Sequence, residues 1–412
     1  MAANPIYDVV VFGATSFVGQ ILSEYLVKQY GVDGELSWAI AGRSEAKLRT
    51  LRTTLGKDAA SLSLILADAA DEQDMRDLCE GARVIISTVG PYALYGEPLV
   101  KACAQSGTDY CDLCGEVQWI KRMAERYHAT ATASGARIVH CCGFDSIPSD
   151  MGVWYLQEQA MHTWGEPCEH IQMRVSAFKG GVSGGTVASM LNLAKEASTD
   201  AALRRGLNDP YFICPPDHGF TANQYEQKLA NYDRDFKQWT APFVMAAINT
   251  RVVHRSNALH DNAYGDNFRY DEAILTGAGI TGPIKAASMA AGTGAVTLGA
   301  AVTPMRNLLE RFVVPKPGEG PSPQQQLDGF FVLDFLGHRG NGDTLRLQVR
   351  GDRDPGYGST AKMLGQAGVC LAKDISHEDQ AGGVLTPASV FGVQLINRLQ
   401  QHAGVSFEMQ ES

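Results

Sequence analysis

Along the first 145 residues the spacing of apolar positions switches repeatedly between a period of two and a period near 3.6. Apolar runs at Asp8–Phe12, Leu36–Ala41, Leu62–Leu66, Val84–Thr88, Asp109–Leu113 and Arg137–Cys142 predict six strands. Amphipathic stretches at Phe17–Gln29, Glu45–Leu55, Glu72–Cys79, Pro98–Ala104 and Val117–Ala133 predict five helices between them. Regular alternation of strand and helix implies a parallel sheet with right-handed crossovers. The expected class is α/β, with a Rossmann-type doubly wound domain over residues 1–149.

Beyond that point strands and helices mix less regularly. Helices are predicted at Asp150–His162, Thr186–Ala197 and Pro283–Phe312, and strands at Glu169–Lys179, Phe243–Arg255 and Phe268–Leu275. Residues 204–223, with Pro210, Pro215 and Pro216, read as irregular, and Pro315–Pro323 as a surface loop. Phe330–Leu336 and Thr344–Arg350 flank Asn341-Gly342, a hairpin signal. The expectation for 150–352 is a second α/β domain for substrate binding or oligomerisation. Two last helices, Gly358–Ala372 and Pro387–Gln401, are expected to pack residues 353–412 back on the first domain. Thr386 caps the second and Pro387 starts it.

Composition narrows the class. A chain of 412 residues, 45% hydrophobic and 19% charged, is globular rather than disordered. Its net charge of -10 argues against nucleic acid as a partner. Cys111-x-x-Cys114 fits a redox pair or half a zinc site, but no second pair at ligand spacing accompanies it, so inert thiols are favoured and no metal is expected. The N-terminus runs straight into a strand, and the nine cysteines suit a reducing cytoplasm. Ala286–Met305 carries no charge over 20 residues, yet Gly292, Gly294, Gly299 and Pro304 interrupt it. It reads as a mostly buried helix whose edge, with Val296, Leu298 and Val302, can rest on a membrane or lipid surface without spanning it.

Candidate chemistry gathers at the carboxyl ends of the first strands, where doubly wound sheets bind ligands. The turn Gly13-Ala14-Thr15-Ser16-Phe17-Val18-Gly19 joins strand to helix, and the helix start offers N–H groups to a phosphate. Ser16 stands where a glycine would let the backbone approach a pyrophosphate; its hydroxyl can donate to a phosphate oxygen instead. The second strand ends in Arg43 and Ser44, with Lys47 a turn later. A guanidinium in place of an acidic residue suits a ribose 2′-phosphate, so NADP is favoured over NAD; the alternative is an ordinary solvated helix start. Asp68 either reaches an adenine amino group or caps a helix. Val89, Gly90 and Pro91 form a turn suited to the nicotinamide ribose.

Four residues are candidates for catalysis. Tyr92 is a proton donor or a packing residue. Asp145 and Ser146, expected to line a cleft between domains, orient a carboxamide or substrate carbonyl, unless Asp145 caps the next helix. Lys179, before the Gly180–Gly185 turn, stabilises developing negative charge or is a plain surface lysine. No Ser-x-x-x-Tyr-x-x-x-Lys pattern is present.

The segments GATSFVG, AGRSEAKL, STVGPYALYGEPLVKACAQSGTDYCDLCGE and GFDSIPSDMG resemble the saccharopine dehydrogenase-like oxidoreductases. KGGVSGGT and GDRDPGYG narrow the resemblance to the branch with trans-acting enoyl reductases of lipid biosynthesis and the animal saccharopine-dehydrogenase-like oxidoreductase. Ser16 departs from that family's GATG form. The resemblance implies an NADP-binding domain, a second α/β domain, and hydride transfer from NADPH to a small-molecule or lipid-linked substrate. An enoyl thioester or related lipid or polyketide intermediate is preferred. A saccharopine-type C=N or C=O reductase and a non-catalytic NADP(H)-binding protein stay open, as does a homodimer. No arginine pair suited to a dicarboxylic amino acid stands out.

Overall fold

The computed structural model describes residues 5–181, 184–301 and 320–411. These form two compact units, one of residues 5–144, 320–322 and 356–404, the other of 145–181, 184–301, 323–355 and 405–411.

The first unit opens with β1 (Tyr7–Phe12), α1 (Phe17–Tyr30), β2 (Trp38–Gly42), α2 (Glu45–Thr54), β3 (Ser63–Leu66) and α3 (Glu72–Glu80). It continues through β4 (Ala82–Ser87), the short α4 (Tyr92–Tyr95), α5 (Glu97–Ser106), β5 (Asp109–Asp112), α6 (Val117–Ser134) and β6 (Arg137–Val139). Every pairing in this sheet is parallel. The apolar runs explain the central strands: Val9, Val10 and Val11 are completely buried, as strands covered by helices on both faces must be. Local chemistry starts the helices. Ser44 Oγ accepts the Lys47 N–H at α2, and Asp71 accepts from Gln73 and Asp74 at α3.

In the second unit α7 (Ile147–Trp164) leads to β7 (His170–Lys179), α8 (Gly184–Thr199), α9 (Ala201–Gly206), β8 (Asn231–Asp233) and β9 (Gln238–Pro242). Then come α10 (Ala246–Leu259), β10 (Arg269–Gly277), α11 (Thr281–Ala301), α12 (Pro323–Leu327), β11 (Phe330–His338) and β12 (Thr344–Gly351). β7 and β10 are parallel, and β11 and β12 form the hairpin that Asn341-Gly342 signals. The segment expected as a strand at Phe243–Arg255 is largely the helix α10. Ile248, Val252 and Val253 share this helix with Asn249, Arg251, His254, Arg255 and Ser256, all buried. Burial on all sides removes the polar face by which a helix is recognised. The predicted helix at Pro283–Phe312 is observed as α11; its residues 302–312, and 315–319 of the proline-rich loop, lie outside the described residues.

The chain then returns to the first unit through α13 (Thr360–Lys373), β13 (Gly383–Leu385) and α14 (Pro387–Arg398). β13 adds a seventh parallel strand beside β6, giving the order β13-β6-β5-β4-β1-β2-β3. Thr386 caps α14 in a capping box with Ser389. The final strand, β14 (Val405–Gln410), instead pairs antiparallel with β12 in the second sheet, ordered β14-β12-β11-β7-β10-β9-β8. Residues 405–411 thus leave the helical segment expected for 353–412. The break between units falls at Phe144/Asp145 rather than at 149/150. The reason is that Ser146 and Ser149 bond to Asn249, and Asp150 to Ser256, all within the second unit.

Candidate active site

The turn after β1 is built around Gly13 and Ser16. Gly13 has a φ of +83°, and a β-carbon there would stand 2.7 Å from Val89 Cγ2 and 2.9 Å from Thr88 Oγ1. The space beside Gly13 is therefore filled by protein. A β-carbon on Gly19 would lie 2.4 Å from the Gly13 carbonyl oxygen, so its absence lets α1 close on the turn. Ser16 Oγ caps α1 by accepting the Gly19 N–H at 2.9 Å and lies 2.9 Å from Thr88 Oγ1. Thr88 Oγ1 donates to the Gly13 carbonyl at 2.9 Å, which leaves Ser16 as donor to Thr88. The Ser16 proton thus holds the turn together instead of facing outward.

This arrangement fits a pyrophosphate. Ala14 and Thr15 belong to a backbone turn anchored by the Gly13 and Ala14 N–H groups on the Ala41 carbonyl. Among the described residues the N–H groups of Phe17 and Val18 have no protein acceptor and stand at the positive end of α1. The Phe17 ring itself packs edge-on against Tyr357, at 4.8 Å.

At the adjoining strand ends the predicted residues fall on one edge of the sheet. Arg43 and Lys47 are exposed, and Ser44 Oγ is engaged as an acceptor, its proton still able to donate. Asp68 is exposed, and its Oδ1 accepts the Ala70 N–H; the cap of α3 is Asp71 rather than Asp68. Leu66, paired with Gly42 in register, is 61% exposed between these polar groups. It is a flat apolar platform that period-two reading treats as one more strand residue.

Val89, Gly90 and Pro91 follow β4 on this edge, but Tyr92 turns inward. Its hydroxyl donates to the Ser87 carbonyl and accepts the Leu113 N–H, and burial, then Asp112, pushes its pKa well above the usual value. Tyr92 is a packing residue of the strand ends, which corrects its reading as a proton donor. Glu116, after β5, serves the framework: its buried carboxylate accepts the N–H groups of Tyr92 and Ala93. Pro91, at the α4 cap, has no side chain for that task, so an acidic residue nearby was the available signal.

The other catalytic candidates belong to the second unit. Ser146 is fully buried and donates to Asn249 Oδ1, so it too is a framework residue and not a group facing reactants. Asn249 in turn donates to Ser149 and to Glu272, which also accepts from Tyr270. Burial raises the Glu272 pKa to about 7 against the bonds from Tyr270, Ser149 and Asn249. Asp145 is partly exposed, and Lys179 is exposed at the end of β7, 3.9 Å from Asp328. Cys111 and Cys114 are both buried, and no group of His, Cys, Asp or Glu among the described residues could hold a metal.

A seven-stranded parallel sheet with a glycine turn against a helix start is the form of a dinucleotide-binding oxidoreductase. The sequence model of the family described as "Saccharopine dehydrogenase NADP binding domain" matches residues 9–139, covering β1 to β6. A trans-acting enoyl reductase of Mycobacterium bovis is 40% identical over 95% of both chains. Another, from Mycobacterium ulcerans, is 38% identical over 96% of both. The chain belongs to the saccharopine dehydrogenase-like oxidoreductases, in the branch of proteins named trans-acting enoyl reductases. The apo saccharopine dehydrogenase (L-Glu forming) of Saccharomyces cerevisiae shares the fold, with a TM-score of 0.55 at 10% identity over 98% of this chain and 99% of that one.

Proposed function

We propose that this protein is an enoyl reductase that uses NADPH to saturate the C=C bond of an enoyl thioester of lipid or polyketide type. The near full-length match to proteins named trans-acting enoyl reductase carries the reading. NADPH, when bound, supplies the hydride. The chain supplies binding and orientation. The Phe17 and Val18 N–H groups, on the Gly13–Gly19 turn, receive the pyrophosphate. Arg43, with Ser44 and Lys47, holds the 2′-phosphate, and Leu66 and Asp68 flank the adenine. Val89, Gly90 and Pro91 border the nicotinamide ribose. Within the second unit, Asp145 and the exposed Lys179 are the groups proposed to orient a substrate carbonyl and to offset negative charge on its oxygen, and a proton from water at the α-carbon completes the reduction. Tyr92 and Glu116 hold the strand ends of the first unit, and Ser146 belongs to a buried hydrogen-bond network of the second.

The test is to mix purified protein and NADPH with trans-2-enoyl thioesters of increasing chain length, and separately with an α-keto acid plus an amino acid. Absorbance loss with the thioesters alone supports the proposal. Loss only with the keto acid and amine assigns the saccharopine-type reaction instead.

A further inference from the structure

Asp112 ends β5 with its side chain completely buried. Its Oδ1 accepts the N–H of Cys114 at 2.9 Å and that of Cys141 at 3.2 Å. Its Oδ2 accepts from the Tyr110 hydroxyl at 2.9 Å and from His140 Nδ1 at 2.7 Å. A carboxylate at Nδ1 fixes the ring proton there. The His140 ring meets Trp119 edge-on at 4.8 Å and Tyr110 at 5.9 Å. A buried carboxylate is costly unless donors surround it. Here every donor lies on β5 or in the turns that follow β5 and β6.

The turn after β6 is held in a conformation its residue disfavours. Cys141 has a φ of +63°, which a side chain with a β-carbon rarely adopts. Its N–H is fixed by Asp112, and its thiol donates to the Cys114 carbonyl at 2.7 Å. The next N–H, of Cys142, donates to the Asp112 carbonyl at 2.7 Å. Such strain persists only where the surroundings over-determine it, and it gathers at ligand sites. The turn after β5 reaches on to β4: the Leu113 N–H donates to the Tyr92 hydroxyl, and Glu116 accepts the Tyr92 and Ala93 N–H groups directly after Val89-Gly90-Pro91. Asp112 is therefore the hub of three neighbouring strand ends.

Those ends lie on one side of the sheet's switch point. β4, β5 and β6 run outward from β1 one way, β2 and β3 the other. A doubly wound sheet binds a dinucleotide across that point, one half on each side. With Arg43 after β2 on the adenosine side, the ends of β4 to β6 fall to the nicotinamide half.

We propose that Asp112, oriented by His140, is a positioning residue for the nicotinamide half of the cofactor. It sets the turns after β5 and β6 and, through Glu116, the Val89–Pro91 turn, and it touches no reactant. The proposal rests on the placement of Val89–Pro91 beside the nicotinamide ribose. Calorimetric titration of the full chain with NADPH and with adenosine 2′,5′-bisphosphate, which lacks the nicotinamide half, tests it without any substrate. Asp112→Ala should weaken NADPH roughly tenfold and leave the bisphosphate within about twofold of the parent. The nicotinamide fluorescence of bound NADPH should move towards that of the free cofactor. Asp112→Asn, which keeps an acceptor for the Cys114 and Cys141 N–H groups, should recover most of the difference between the two ligands. His140→Leu keeps the carboxylate and should show the same split at smaller size; it carries the test if Asp112→Ala fails to fold. Folded variants that weaken both ligands equally, or neither, overturn the role of Asp112 and leave it a structural residue. A parent protein that binds NADPH no tighter than the bisphosphate overturns the placement of the nicotinamide half itself.

Discussion

Ser16 Oγ stands 2.9 Å from Thr88 Oγ1, joining the turn after β1 to the end of β4 across 72 residues of sequence. Thr88 passes the link on to the Gly13 carbonyl, so three residues from two strand ends share one hydrogen-bonded chain. The relation explains how a serine serves where a third glycine was expected. Its side chain folds back on the Gly19 N–H and Thr88, leaving the helix start to meet the phosphate.

Removing either end of that link should loosen the turn. Thr88→Val keeps the shape and deletes the acceptor for Ser16; Ser16→Ala also removes the α1 cap. A lost cap costs about 1 kcal/mol. Ser16→Ala should therefore lower thermal stability more than Thr88→Val, and both should weaken NADPH binding. Calorimetric titration and a melting curve on each variant read the two effects separately.

Gly13→Ala should damage folding as well as binding. Its positive φ is strained for alanine, and the new methyl would press on Val89 Cγ2. A loss of about 1–3 kcal/mol is expected. Adding Val89→Ala removes the nearer contact and should restore part of the stability, but not the strain. Denaturant midpoints of the single and double variants measure this.

Arg43→Asp should raise the NADPH dissociation constant roughly ten- to hundredfold, the equivalent of one charge-assisted hydrogen bond. NADH, which lacks the 2′-phosphate, should bind the variant no worse than the parent. Fluorescence titration with both cofactors compares them, and equal loss for the two would remove Arg43 from the 2′-phosphate site.

Glu272 predicts a pH effect of a particular sign. Its folded pKa of about 7 lies above the ordinary 4.5, because burial disfavours the carboxylate. Between those values the folded chain holds more protons than the unfolded one, so this group makes stability fall as pH rises from 4.5 towards 7. Glu272→Gln removes that slope. Melting temperatures at pH 5, 6 and 7, as round settings, should decline less in the variant than in the parent protein.

Most of the first sheet was readable from the chain because its central strands are short, apolar and separated from the next by a helix with a polar face. Val9, Val10 and Val11 are followed at once by a glycine turn, and that succession is local. Three features escaped for physical reasons. α10 buries every face, so its valines looked like a strand. β13 has three residues, and its partner β6 is more than 240 residues away. Tyr92 and Ser146 are polar residues in the right places whose hydroxyls turn out to serve buried backbone and amide partners. Side-chain direction at a strand end depends on what packs behind it, and a linear pattern carries no information about that.

Deuterium transfer tests the central claim most directly. NADPH deuterated at C4 of the nicotinamide ring, in each stereoisomer, is incubated with the protein and a trans-2-enoyl thioester, and the product is analysed by mass spectrometry and NMR. The account predicts that one isomer delivers its label to the β-carbon of a saturated thioester, one deuterium per NADPH consumed. NADPH bound with ordinary affinity but no labelled product across a range of enoyl thioesters would contradict it.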